Sequence, residues 1–490
     1  MKSEKPKKTA KEKKYKVTDY DKDEFRDSIS TIGSSGERVW IYPKAPSGRF
    51  HFYRKIVAAF LLIFLFGAPF IKINGNPLLL FDVLSRRFVI FGQLFTPQDF
   101  HLFVLGMLLF VVFVVIFTVV FGRVFCGWVC PQTIFMEMVF RKIEYFIEGD
   151  AAAQKKLNKQ EWDTEKIGKK TAKHSIFLGI SFLISHTFLA YIVGVDRLWV
   201  LFGDTPFEHV SLFVALVIFT FLFYGVFAFL REQVCTTICP YGRLQGVLLD
   251  NDSIVVAYDE VRGEPRGKGK RESDPVKKAA DPRGDCVDCH LCVDVCPTGI
   301  DIRNGTQLEC VNCTACIDAC DSIMTKFDLP TGLIRYASRN EIEKKQKFKF
   351  TTRMTAYSVV LMLLMIAMVG LLAVRTQVET IVLRAQGTTY QTTEKGDIRN
   401  MFTVLLINKT NDTLNINVKL EEENGTIQMI GTDKYILLPE QTVKEVILVD
   451  FPKNKLPSKR SDIHLQIFSN GEQIETVNTK FLSPFVGSGD

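Results

Sequence analysis

No cysteine occurs before position 126 or after position 320, although the chain of 490 residues has 12 of them. Whatever folds after residue 320 therefore does so without disulfides, which many exported domains use. A second scarcity concerns charge. The stretch 74–100 has only Arg86 and Arg87 as basic residues, and 195–209 has only Arg197. By contrast, residues 1–55 carry 15 Lys and Arg, residues 123–173 carry 10, and residues 231–353 carry 19. The +7 net charge follows from these segregated basic stretches and is no sign of nucleic-acid binding.

The alternation has a physical reading once the apolar runs are placed. Hydrophobic residues make up 47% of the chain, and 40 residues are Phe. Five runs, 54–73, 102–122, 174–194, 210–230 and 354–374, approach the roughly 20 apolar residues that a helix needs to cross a bilayer. A long polar arm precedes the first run, which is also too long for a cleavable signal core, so it reads as a span. Basic loops stay on the cytoplasmic side. The amino terminus and the segments 123–173 and 231–353 are thus expected in the cytoplasm, and everything after residue 376 outside. All twelve cysteines then fall on the inner side or at its membrane boundary. Thiols stay reduced there, which favours metal ligation over stapling.

The expected organisation has seven parts. Residues 1–50 form a disordered, Lys-rich cytoplasmic arm. Residues 51–250 form a four-span membrane domain of two hairpins, each ending inward in Cys-x3-Cys-Pro, a pattern of internal duplication. Residues 251–283, rich in Gly, Pro and charge, read as a linker. A cysteine-dense module covers 284–327, and a charged connector 328–353 leads to the fifth span at 354–374. Residues 390–490 alternate apolar and polar residues in short runs separated by Asn, Asp and Gly. That pattern predicts an all-β, Ig-like or fibronectin-like sandwich. The fold class is a multi-domain membrane protein: a helical membrane domain, a ferredoxin module and a β-sandwich.

The cysteine module is the most specific motif. "CVDCHLCVDVCP" and "CVNCTACIDAC" are each Cys-x2-Cys-x2-Cys-x3-Cys, the bacterial ferredoxin run. Three close thiolates hold three irons of a cubane, and the fourth ligand comes from the other run. Cluster one would use Cys286, Cys289, Cys292 and Cys320. Cluster two would use Cys296, Cys310, Cys313 and Cys316. Zinc takes two well-separated Cys-x2-Cys pairs instead. "CVDCH" also matches the haem-attachment pattern, but its cysteines are needed by the ferredoxin run.

"CGWVCPQ" and "CTTICPY" raise the second question. Cys126 and Cys130 are four apart, as are Cys235 and Cys239. Pro131 and Pro240 disfavour helical backbone at the preceding cysteine and suit the first turn of a new helix. Each span is expected to break at its second cysteine, with thiols of depressed pKa at the new helix start. Three readings stay open: small buried residues, a four-thiol metal site for copper or a further cluster, or redox thiols without metal. Soft thiolates favour Cu(I). Met136 and Met138 are accessory thioether candidates or core residues. His174 and His186 lie roughly on one face of the third span, Pro69 is expected to kink the first, and Arg231 with Glu232 marks an inner boundary.

These motifs together resemble the cytochrome c oxidase accessory proteins of the CcoG/FixG/RdxA family, across residues 35–490. The resemblance implies a bacterial inner-membrane protein that assists assembly of the cbb-type haem–copper oxidase. It also implies reduction of Cu(II) to Cu(I), a cupric reductase activity at Cys126, Cys130, Cys235 and Cys239, and an Ig-like exported domain. Implied partners are a cytoplasmic electron donor and oxidase-assembly or copper-delivery proteins. Two other functions fit the same motifs: a quinol-linked electron conduit to a respiratory reductase, and an assembly scaffold with sensory clusters.

Overall fold

A computed structural model describes residues 30–484 except 34, 74, 84–86, 96–98, 204–208, 269–282, 377, 386, 388, 411, 431–434, 440, 456 and 457. Residues 1–29 of the expected arm, 269–282 of the expected linker and 485–490 of the β-domain lie outside the described residues. The chain divides into two compact units. One comprises Met1–Phe66, Met107–Phe188 and Asp204–Leu364, and the other Gly67–Gly106, Leu189–Gly203 and Met365–Asp490.

Five helices are long and apolar enough to cross a membrane: Arg49–Phe70, Phe100–Phe121, Thr164–Val193, Val210–Leu230 and Thr352–Ala373. The second leaves Phe103, Met107, Phe110 and Phe113 exposed, a surface suited to lipid rather than water. The first helix does not kink at Pro69. It ends at Gly67, and Pro69 sits in a 3-10 turn, Ala68–Phe70, because proline offers no N–H to continue the ladder. The third begins at Thr164, ten residues before its apolar run. Lys170 and Lys173 in its charged first turns both reach Glu148 at 2.9 Å, which holds the extension helical.

The described residues of 30–48 do not behave as a disordered arm. The Lys44 N–H donates to the Asp294 carbonyl at 2.8 Å, and the Ser30 hydroxyl donates to the Thr298 carbonyl at 2.6 Å. This segment is packed along the cysteine module, although its polar composition gives no sign of it. The described parts of the expected linker, and the connector, are also structured. Val255–Tyr258 and Ile334–Ala337 pair antiparallel and close the module from both sides in sequence. Inside that frame lie a short helix, Leu291–Asp294, and a longer one, Ala315–Lys326.

The second unit holds the β-sandwich. One sheet has the order Thr426–Met429, Thr442–Phe451, Ile398–Asn408, Val378–Arg384, with Gln391–Thr392 also pairing Ile398–Asn408. The other runs Tyr435–Leu437, Leu414–Leu420, Arg460–Ser469, Glu472–Leu482. All these pairs are antiparallel. Alternate residues point inward, so Phe402, Val404, Leu406, Ile416, Leu465 and Ile467 bury a shared core. That core supplies the stability that no disulfide provides. The unit also contains a small meander that its sequence does not announce. Leu79–Asp82, Arg87–Ile90 and Gln93–Phe95 pair in order around Leu80, Val89 and Leu94.

Candidate metal centres

The two ferredoxin runs adopt the same backbone. Asp288 and His290 have positive φ (51° and 57°), and so do Asn312 and Thr314 (53° and 65°), their counterparts in the second run. Each left-handed pair curls a Cys-x2-Cys-x2-Cys loop around a cavity. Cys286, Cys289, Cys292 and Cys320 line one cavity. Cys296, Cys310, Cys313 and Cys316 line another, which Cys292 also borders. The fourth cysteine of each set comes from the opposite run, because the following helices cross over and carry Cys296 and Cys320 back. Among the described residues, no three His, Cys, Asp or Glu side chains converge closely enough for a single metal ion. The thiols instead stand around spaces lined by apolar side chains such as Ile300, Ile302, Met324 and Ile334, which suits a cluster rather than zinc.

Burial pushes the Cys292 and Cys310 thiols up to about 12 and Cys313 to about 11. Iron charge is what holds such groups as thiolates. The surroundings of the two cavities differ. Arg303 borders the first; its guanidinium donates to Asp288 at 2.7 Å and to Asp301 at 2.6 Å, and reaches His290 Nδ1 at 3.0 Å. The equivalent positions at the second cavity are the neutral Asn312 and Thr314. Cys289 is the one exposed cysteine of the twelve.

The membrane cysteines sit where helices break. Cys130 and Cys239 are the N-caps of helices that start at Pro131 and Pro240, with extended backbone (ψ 123° and 112°). Proline forces this, since it restricts the residue before it and fits the first helical turn. Cys126 lies close enough to Cys130 and Cys239 for their charges to oppose its ionisation, and Cys235 is similarly opposed by Cys130, Cys126 and Cys239. The two motifs are therefore brought together. Burial pushes the Cys126 and Cys235 thiols up to about 11 and about 12. Both precede the break, so the new helix starts do not act on them directly.

The motifs also meet the ferredoxin module. Cys126 and Cys235 pack against the apolar cluster that contains Cys313, Val311 and Ala315. Arg54 of the first span donates to the Gly127 carbonyl at 3.0 Å. Trp128 Nε1 donates to the Tyr336 hydroxyl at 3.0 Å, and that hydroxyl donates to the Asn312 carbonyl at 3.3 Å. Sequence reasoning missed Arg54, Arg123, Gln245 and Arg303. Arg54 stands at the start of its apolar run beside Lys55, where nothing local singles it out, and Arg123 stands three residues before Cys126.

A buried ionic network lies beside the break. Arg231 donates to both Glu144 oxygens at 2.8 and 2.7 Å. Arg141 pairs with Glu137 at 2.5 Å and with Glu232 at 3.5 Å. Arg231 and Glu232 follow directly on the end of the fourth membrane-length helix at Leu230 and are also buried ionic partners. Met136 and Met138 are buried in apolar clusters with Phe135 and Ile134, so they act as core residues. His174 accepts from or donates to the Tyr224 hydroxyl at 2.9 Å, an interhelix bond, whereas His186 meets the Phe182 carbonyl of its own helix at 2.8 Å.

Membrane-length helices, a two-cavity cysteine module and paired cysteines at helix breaks define a multi-pass membrane polyferredoxin. A family model described as a 4Fe-4S dicluster domain matches residues 230–339, and one described as a 4Fe-4S binding domain matches 103–158. A third, an IG-like fold at the C-terminal of FixG, matches 368–484. Protein RdxA of Cereibacter sphaeroides is 33% identical over 406 residues, covering 79% of this chain and 83% of that protein. Protein RdxB of the same organism is 34% identical over 405 residues, 79% and 83%. Nitrogen fixation protein FixG of Rhizobium meliloti is 36% identical over 316 residues, 62% and 58%. The chain belongs to the FixG/RdxA family and is an iron–sulfur electron-transfer protein of the membrane.

Proposed function

We propose that the protein delivers electrons to Cu(II) at the membrane cysteines during assembly of a cbb-type oxidase. Cys286, Cys289, Cys292 and Cys320 would hold one [4Fe–4S] cluster, and Cys296, Cys310, Cys313 and Cys316 the other. These centres supply reversible one-electron storage. The observation that carries the reading is the packing of Cys126 and Cys235 against the Cys313 cluster. It gives an electron held at the second cavity a direct neighbour among the membrane thiols.

Two of the four thiols suffice for the copper substrate, because Cu(I) accepts few soft ligands and thiolate prefers it to Cu(II). The basic loops favour a cytoplasmic module fed by a cytoplasmic donor, in a bacterial inner membrane with the Ig-like domain in the periplasm. The product would pass to copper-delivery or oxidase-assembly partners. The test is Cu(II) reduction by dithionite-reduced full-length protein, read with a Cu(I)-specific chelator. Cys126→Ser with Cys130→Ser should abolish it while iron content stays at the wild-type level. Reduction at the wild-type rate in that variant rejects the site.

A further inference from the structure

We propose that Gly127 and an Arg123–Gln245 bridge form the junction through which a cluster in the cavity lined by Cys310 passes electrons to copper held at Cys126. The proposal rests on the reading of the membrane thiols as the copper site.

Two independent contacts make the junction. The first is a close approach. A Cβ on Gly127 would lie 2.5 Å from the Val311 carbonyl oxygen and 2.8 Å from the Asn312 carbonyl. Real Cβ atoms do not come so near backbone, so only glycine lets the Cys126–Cys130 motif rest on the loop between Cys310 and Cys313. Electron tunnelling falls steeply with distance, and a larger residue here would push the two centres apart.

The second contact is a chain of hydrogen bonds. Arg123 Nη1 donates to the Cys310 carbonyl at 3.3 Å, and Arg123 Nε donates to Gln245 Oε1 at 3.1 Å. The same Gln245 oxygen accepts from Cys126 Sγ at 3.1 Å. Gln245 is fully buried, as is the Arg123 side chain that crosses from one motif to the other. Arg123 is anchored a third time, at the Gly242 carbonyl 2.7 Å away. Residues that follow the second Cys-x3-Cys-Pro thus hold the first against the ferredoxin loop.

The step balances simply. Two thiols release their protons to solvent as copper binds; Cys126, once a thiolate, no longer donates to Gln245 Oε1, and the Gln245 amide turns its unpartnered Nε2 to the sulfur instead. One electron leaves the reduced cluster and converts Cu(II) to Cu(I). Dithionite, a chemical reductant, restores the cluster in the test.

The experiment uses full-length protein in detergent, with Ag(I) as a redox-inert stand-in for Cu(I). Ag(I) bound by the thiolates adds net negative charge and should lower the reduction potential of one cluster, the one removed by Cys310→Ser. Gly127→Val and Gln245→Leu should shrink that shift and slow Cu(II)-driven reoxidation of the clusters by about tenfold or more, the scale expected for small misplacements. A shift on neither cluster, or on the other one, overturns the junction. So do wild-type shifts and rates in both variants. If Gly127→Val loses iron, the wild-type Ag(I) titration and Gln245→Leu decide. Cu(II) reduction surviving in Cys126→Ser with Cys130→Ser would reject the copper reading instead. An inactive thiol variant beside wild-type behaviour in the junction variants rejects only the junction.

Discussion

The backbone N–H of His51 donates to an Asp318 carboxylate oxygen at 2.7 Å, and the neighbouring Phe50 N–H donates to the other oxygen at 3.0 Å. A residue between two cluster cysteines thereby caps the first membrane-length helix, satisfying two N–H groups that the helix cannot satisfy itself. Gly48 makes room for it, since a Cβ there would meet Asp318 Cγ at 2.4 Å. Asp318→Ala should cost about 1.5–3 kcal/mol, the range for hydrogen bonds to a charged group. Thermal loss of cluster absorbance in detergent is the measurement, and an unchanged midpoint would show the cap to be inert.

The Arg231–Glu144 pair predicts an asymmetry between single and double variants. Arg231→Met leaves a buried carboxylate without its bidentate partner and should destabilise by roughly 3–5 kcal/mol. Arg231→Met with Glu144→Leu should recover much of that loss. A double-mutant cycle on thermal unfolding separates the pair from its neighbours.

Acid should loosen the start of the third span. Burial opposes the ionisation of Glu148, but Lys173 and Lys170 outweigh it and hold its pKa below 4.5. A carboxylate depressed on folding contributes stability above its ordinary pKa and loses it as pH falls through the folded value. The contribution should therefore be intact above pH 4.5 and vanish below it. Melting temperatures across pH 3–6 (roughly the range of carboxylate titration) should fall more steeply in the wild type than in Glu148→Gln.

Iron counting tests the division of ligands. Two cubanes amount to roughly eight irons per chain. Cys310→Ser should lower this toward about four and leave one set of EPR signals. Cys289→Ser should remove the other set. Loss of the same signals in both variants would refute the division.

Much of this was legible because certain residues speak unambiguously. Eight cysteines at fixed spacing announce a dicluster module, and Pro131 and Pro240 announce helix breaks. The alternation in Ile398–Asn408 announces a strand with one buried face. The junction was not legible. Arg123 and Gln245 lie 122 residues apart, and nothing local distinguishes their hydrogen bonds from solvation. The order in residues 30–48 was hidden for a related reason. A polar segment that borrows its structure from another surface carries no periodicity of its own.

The matched loops at Asp288–His290 and Asn312–Thr314 have one more consequence. The backbone is shared and the charges differ, with Arg303, Asp301 and Asp288 around one cavity, and Asn312 in place of Asp288 with Arg123 on the Cys310 carbonyl at the other. Two chemically identical cubanes bound there would rest in unlike electric fields. An electron would therefore find them unequal in energy, and the pair has a built-in direction before any donor or acceptor arrives.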